Sequence, residues 1–171
     1  MVVLRRTQKL ASQLPASVGA APASDTALGD WYVNKLVVDR KPLLLLASSR
    51  SLIAIVIPAR DVRSLPSRLP GLVAQRLKRM GVAPKLIDAE VTAMSPVCVA
   101  KTADRAVVGI LVDFAFAIPF HLERGAWDVT TLPFIEAKLA KNPCFAGRRF
   151  EEVVFPDKAT PALLTSRWDA G

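Results

Sequence analysis

With 171 residues, 51% of them hydrophobic, the chain is long enough to bury one core unaided, so it requires neither a disulfide framework nor a structural metal. Two cysteines, Cys98 and Cys144, and a single histidine, His121, exclude a disulfide scaffold and a zinc site of the Cys/His type. The 23 Lys and Arg against 15 Asp and Glu, a net charge of +8, point to a nucleic acid or an acidic protein as partner, or else to cations that only solvate the surface.

In chain order, Val2–Leu4 predicts a short strand and Thr7–Leu14 a short helix with Thr7 as its cap. The segment 15–26, PASVGAAPASDT, lacks an apolar period and reads as a flexible loop. WYVNKLVVDR, PLLLLAS and SLIAIVIPA then read as three consecutive strands joined by tight turns. The second and third are apolar on both faces and belong inside a covered sheet. Ser67 is the expected cap of the next helix, with Pro70 in its first turn and Gly81 and Pro84 at its end. Leu69, Val73, Leu77 and Met80 form its inner face, while Arg68, Gln75, Lys78 and Arg79 point outward as a basic face that suits phosphates or plain solvation. KLIDAEVTAM and PVCVAK follow as two further expected strands, the first with some helical character.

Thr102 or Asp104 is placed to cap a helix that starts near Arg105 and ends at about Ile118, before Pro119. Its apolar residues surround the axis, which predicts a buried helix, and Gly109 in its middle suggests close contact with a neighbouring backbone. Asp113 is then the anomaly, because a buried carboxylate needs a cation or several donors. Two explanations stand side by side: a structural ion pair, with Arg105 two turns earlier as one partner, and a functional carboxylate in a cleft. Near the C-terminus, Thr130 or Thr131 caps a helix with Pro133 in its first turn and Leu132, Ile135 and Leu139 inside, ended by Asn142-Pro143. From about residue 145 the chain reads as a tail in which Arg148, Arg149 and Lys158 add positive charge and Trp168 is either a docked anchor or an interaction residue.

The second dense cluster is LGDWY, Leu28 to Tyr32. Asp30 can pin the start of a strand or line a pocket, and Trp31, Tyr32 and Asn34 suit stacking and hydrogen bonding to nucleic-acid bases. At 6% aromatic residues, an extensive stacking platform is not expected.

Thr7-Gln8-Lys9-Leu10, LGDWY with Asn34, Lys101 to Arg105 (KTADR) with Gly109 and Asp113-Phe114, and Asn142 to Cys144 occur in an order that resembles a bacterial family of unknown function, the one numbered six-nine-three-three in its series. An Asn is commoner in that family where Asp104 stands here. The resemblance implies a shared fold and a shared site joining LGDWY to the KTADR turn, and it carries no activity over.

Several chemistries are trimmed by what the sequence lacks. It has no GxxxxGK[ST] or GxGxxG phosphate fingerprint, and His121 is near no nucleophile-elbow pattern. Asp30 and Asp113 could serve as an acid/base pair or hold Mg²⁺ if the fold brought them together. No stretch reaches the ~18 apolar residues of a spanning helix and no signal-peptide pattern follows the N-terminus, so a cytoplasmic protein without a membrane partner is expected. The expected architecture is a single α+β domain, a mainly antiparallel sheet with helices packed on it, with no metal and no cofactor. Two functions are carried forward. The first is a non-catalytic binding or regulatory module for nucleic acid or an acidic protein, using Arg68, Lys78 and Arg79. The alternative is an enzyme acting on a small anionic substrate, with Lys101 and Arg105 as anion ligands and Asp30 or Asp113 as acid/base.

Overall fold

The computed structural model describes residues 1–145 and 153–169. Arg148 and Arg149 lie outside the described residues. Five strands, β1 (Val2–Arg6), β2 (Trp31–Val38), β3 (Lys41–Ser48), β4 (Ala54–Pro58) and β5 (Val97–Lys101), form one sheet in the order β4-β3-β2-β1-β5. The predicted meander is present as β2, β3 and β4, each antiparallel to the next. The sheet is mixed, however: β1 runs parallel to both neighbours, β2 and β5. Parallel pairing needs a connection long enough to return the chain to the strand's starting end. Segment 7–30 and the helices between β4 and β5 supply it.

Two helical layers cover the sheet. On one face, α1 (Leu65–Arg79), α2 (Pro84–Ala93) and α5 (Pro156–Trp168) enclose a core of Leu4, Trp31, Val33, Leu44, Leu46, Ile53 and Ile55. On the other, α3 (Arg105–His121) and α4 (Leu132–Ala140) pack on Tyr32, Leu43, Leu45, Ala47, Ala54 and Val56. Alternate residues of β3 thus enter different cores, which accounts for its unbroken apolar sequence. A two-stranded ribbon, β6 (Cys144–Phe145) with β7 (Val153–Val154), follows α4.

Several local expectations are corrected. KLIDAEVTAM is helix α2, because Leu86, Ile87 and Glu90 recur at helical spacing on its inner side and Pro84 occupies its first turn. Helix α1 starts at Leu65 after Ser64, not at Ser67, with Pro66 as its early proline. The expected helix at 7–14 is a 3-10 turn over Gln8–Leu10, and the Thr7 hydroxyl donates to Asn34 Oδ1 at 2.7 Å instead of capping it. Pro119 lies within the last turn of α3, which runs on to His121; so close to the end, the missing proline N–H removes one bond without breaking the helix.

At the β2–β3 turn, Asp39 and Arg40 both have positive φ, 50° and 64°, the conformation that the twist of a two-residue hairpin favours. Asp39 also anchors the distant 125–127 turn: its Oδ2 accepts from Gly125 N–H at 2.9 Å and from the Trp127 indole at 2.7 Å. These bonds, the Gly125 N–H first, hold its carboxyl below the ordinary 3.8. A lowered folded-state pKa stabilises the fold above the unfolded value, and the contribution fades as pH falls through the folded value. The stability difference between wild type and Asp39→Asn, measured by urea unfolding, is therefore expected to be full at neutral pH and to shrink as pH drops below about 3.8. A difference that is flat with pH would contradict this.

Candidate functional site

The parallel strands β1 and β5 end side by side, at Arg6 and Lys101. Ligand crevices in sheets of this kind form beyond the carboxyl ends of parallel strands, because the departing connections leave a gap there. Here the gap is a recess of about 640 Å³ between Arg5, Arg6, Lys101, Thr102 and the loop at 15–21. The 15–26 segment that contains this loop carries no helix or strand and is tied at two points: Ser17 N–H donates to Val99 O, and the Ser24 hydroxyl accepts from Val3 N–H.

The two arginines behave differently. Arg5 Nε donates to Asp30 Oδ2 at 2.5 Å and its Nη1 to Lys101 O at 2.9 Å, so its charge is matched inside the protein. The second Asp30 oxygen accepts from the Ser24 hydroxyl at 2.6 Å. Arg6 shares the β1 face of Val2 and Leu4, because side chains alternate along a strand, and it is only 6% exposed. Its Nε donates to Leu14 O at 2.9 Å. Among the described residues it meets no carboxylate. Leu14 O is its one acceptor among the described residues, and its other nitrogens open onto the recess, where only water or an anion can meet them.

LGDWY and the KTADR turn do meet, although the two residues in contact do not line the recess. The Tyr32 hydroxyl accepts from Asp104 N–H at 2.9 Å, and Asp104 caps α3 by accepting from Ala106 N–H. Gly29 is required where LGDWY turns: its φ is 76°, and an added Cβ would lie 2.4 Å from Ser49 Oγ. Trp31 and Tyr32, however, are buried, which removes both as base-stacking residues. Asn34 is half-buried, and its Oδ1 is taken by Thr7 and by Lys35 N–H. Lys101 stands exposed on the rim, whereas Arg105 is exposed at the start of α3 and does not line the recess.

The Asp30 and Asp113 pairing is not formed. Asp30 is committed to Arg5 and Ser24, and Asp113 is exposed on α3 beside Cys144, not buried as the apolar sequence of the helix predicts. Nor does any element pack against Gly109, which has nothing within 4 Å of where its Cβ would be. Burial, with a smaller effect from the Asp113 charge, pushes the Cys144 thiol up to about 11, so it is not a nucleophile at neutral pH.

The basic face of α1 is largely spent on structure. Arg68 bonds the Ser64 hydroxyl and the carbonyls of Arg60 and Asp61. Arg79 bonds Glu136 at 2.7 Å, whereas Gln75 and Lys78 are exposed without such a partner among the described residues. Two further carboxylates, in no motif of the sequence, are buried. Glu136 joins Arg76, Arg79 and the edge of β4, and Glu90 accepts from Ala27 N–H, Leu28 N–H and the Trp168 indole. Trp168 is thereby a docked anchor. Among the described residues no cluster of His, Cys, Asp or Glu is arranged to hold a metal ion, and no helix is long and apolar enough to cross a membrane.

Fold and site together define an α+β domain with a buried arginine facing a recess at the carboxyl ends of two parallel strands. The chain belongs to the family described as Domain of unknown function (DUF6933), which matches residues 3–159 and so includes every segment that forms the recess. No curated protein and no solved structure matches the chain.

Proposed function

We propose that the protein is a non-catalytic binding module that takes the carboxylate or phosphate of a small ligand into this recess, with Arg6 as the central contact and Lys101 at the rim. The observation that carries the reading is the burial of Arg6 without a carboxylate, beside a concavity of about 640 Å³. A guanidinium presents its donors in a planar fork that matches an oxyanion. Binding, rather than catalysis, follows from the state of the nearest acid: both oxygens of Asp30 are held by Arg5 and Ser24, which leaves no carboxylate poised to move a proton in the recess. A small ligand fits better than a nucleic-acid strand because Trp31 and Tyr32 are buried and the α1 arginines are bonded within the fold. In this reading the protein works in the cytoplasm, with Cys98 and Cys144 as free thiols.

Isothermal titration with inorganic phosphate, citrate and a mononucleotide tests the reading. At least one is expected to bind one per chain, and Arg6→Met, which keeps most of the side-chain stem, is expected to weaken it by about tenfold or more. Lys101→Ala, at an exposed position that does not support the core, should weaken it less. Absence of binding, or binding that both variants leave intact, would overturn the proposal. A single-stranded oligonucleotide that binds equally to wild type and Arg6→Met would restore surface charge as the determinant.

A further inference from the structure

Helix α3 turns an apolar stripe away from the sheet. Phe116 and Phe120 are 73% and 76% exposed with ring centroids 5.4 Å apart, Val112 is 57% exposed, and Val37 continues the patch beside Phe120. Residues 105, 109, 112, 116 and 120 follow the helical repeat, so Arg105, Gly109, Val112, Phe116 and Phe120 share this side, and Glu123 follows two residues past the helix end. Contiguous exposed aromatic surface of this kind marks an interaction site.

The composition of the stripe specifies its occupant. About the position of Phe114, Arg105 is balanced by Glu123 and Val112 by Phe116, while Gly109 and Phe120 match to within one residue, a rise of about 1.5 Å along the axis. Laid antiparallel on a second copy, each cation therefore opposes an anion and each bulky ring opposes a smaller residue. Gly109 supplies the notch: a Cβ there would touch nothing within 4 Å, and the space can receive the partner's Phe120 ring. Arg105 and Glu123 are both exposed and make no ion pair among the described residues, so both remain available for a pair across the interface. Arg124, next to Glu123, is already directed at Asp39.

We infer that the α3 stripe binds a second copy of this chain, making a two-fold dimer in which α3 crosses its equivalent antiparallel. An isologous contact requires one patch that complements itself, and this stripe does so in both size and charge. The anion recess is lined by other residues and is independent of the contact.

Sedimentation equilibrium across the micromolar range is the test. Wild type is expected at twice the 18.5 kDa of one chain, and Phe116→Asp/Phe120→Asp at 18.5 kDa with an unchanged circular dichroism spectrum, since neither ring is part of a core. Arg105→Glu alone should raise the dissociation constant about tenfold, and adding Glu123→Arg should restore it, because opposed pairs are then re-formed with reversed sign. A wild-type monomer throughout, whether another segment or a different protein covers the face, would overturn the inference. So would a dimer that survives the double Asp variant, or a charge reversal without recovery.

Discussion

Replacing Glu136 by alanine is expected to destabilise the protein by about 3–5 kcal/mol, the loss typical of removing one partner from a buried ion pair. Glu136 is 1% exposed and holds three groups together. Its Oε2 accepts from Val56 N–H at 2.9 Å, closing part of the outer edge of β4, and its Oε1 lies 2.7 Å from Arg79 Nη2 and 3.8 Å from Arg76 Nε. Arg76 in turn donates to Ala54 O at 2.9 Å, further along the same strand. The edge strand, whose backbone would otherwise be an unsatisfied template, is thus covered by side chains from α1 and α4. Burial pulls the Arg76 guanidinium below the usual arginine value and the Glu136 charge opposes that shift, so loss of the carboxylate leaves a cation with little to offset its desolvation. Arg79→Ala should cost at most about 1 kcal/mol, because that side chain is 39% exposed and water replaces the lost partner. Urea unfolding should show the two variants well separated in midpoint with similar slopes. Equal, small effects would show that the network contributes little.

Glu90→Ala is the second large effect, a loss of about 3 kcal/mol or more. Glu90 is fully buried and, among the described residues, has no cation beside it; its carboxylate accepts from Ala27 N–H at 2.9 Å, Leu28 N–H at 3.0 Å and Trp168 Nε1–H at 2.7 Å. Each buried donor left without an acceptor costs about 1–3 kcal/mol. The same carboxylate joins three distant parts of the chain: the approach to LGDWY, α2 and the end of α5. Trp168→Phe removes one of the three bonds and should cost about 1–2 kcal/mol. In Glu90→Ala the indole emission of Trp168 should shift to the red as the ring gains solvent, whereas an unshifted spectrum would mean that apolar packing alone docks α5.

Much of this organisation is legible in the sequence by period. The β2–β4 meander follows from three apolar runs and two turns, and α4 from its early proline and Leu132, Ile135 and Leu139. The charged residues that hold the layers together follow the same periods. Arg76 lies three residues after Val73, Glu90 three after Ile87, and Glu136 four after Leu132, each on an inward stripe, while Arg6 continues the Val2 and Leu4 face of β1. A charge at a core position of a helix or strand is the signal, and it is visible without coordinates.

Other features depend on distance. The parallel placement of β1 is fixed by pairings to segments far along the chain, which no local period encodes. The apolar sequence of α3 predicts burial all round, yet only the side facing Tyr32 and Leu45 is covered, and the sequence does not distinguish a second structural layer from a second molecule. Asp113 misleads for the same reason, since its anomaly existed only if the whole helix were enclosed. LGDWY and KTADR converge, but the contact between them is a tyrosine hydroxyl receiving a backbone N–H, and the aromatic rings face the cores.

These features assign the charge of the domain to distinct tasks. Arg76 and Arg79 close a strand edge, Arg5 neutralises Asp30, and Arg6, bonded to Leu14 O, is the one for which we propose an outside anion. The direct test is the Arg6 Nε–H resonance, assigned by its loss in Arg6→Met and followed by nuclear magnetic resonance while phosphate, citrate and a mononucleotide are titrated. A saturating shift at Arg6, with Arg76 unmoved, is the predicted result. A resonance at Arg6 that stays fixed while other arginines respond would contradict the account.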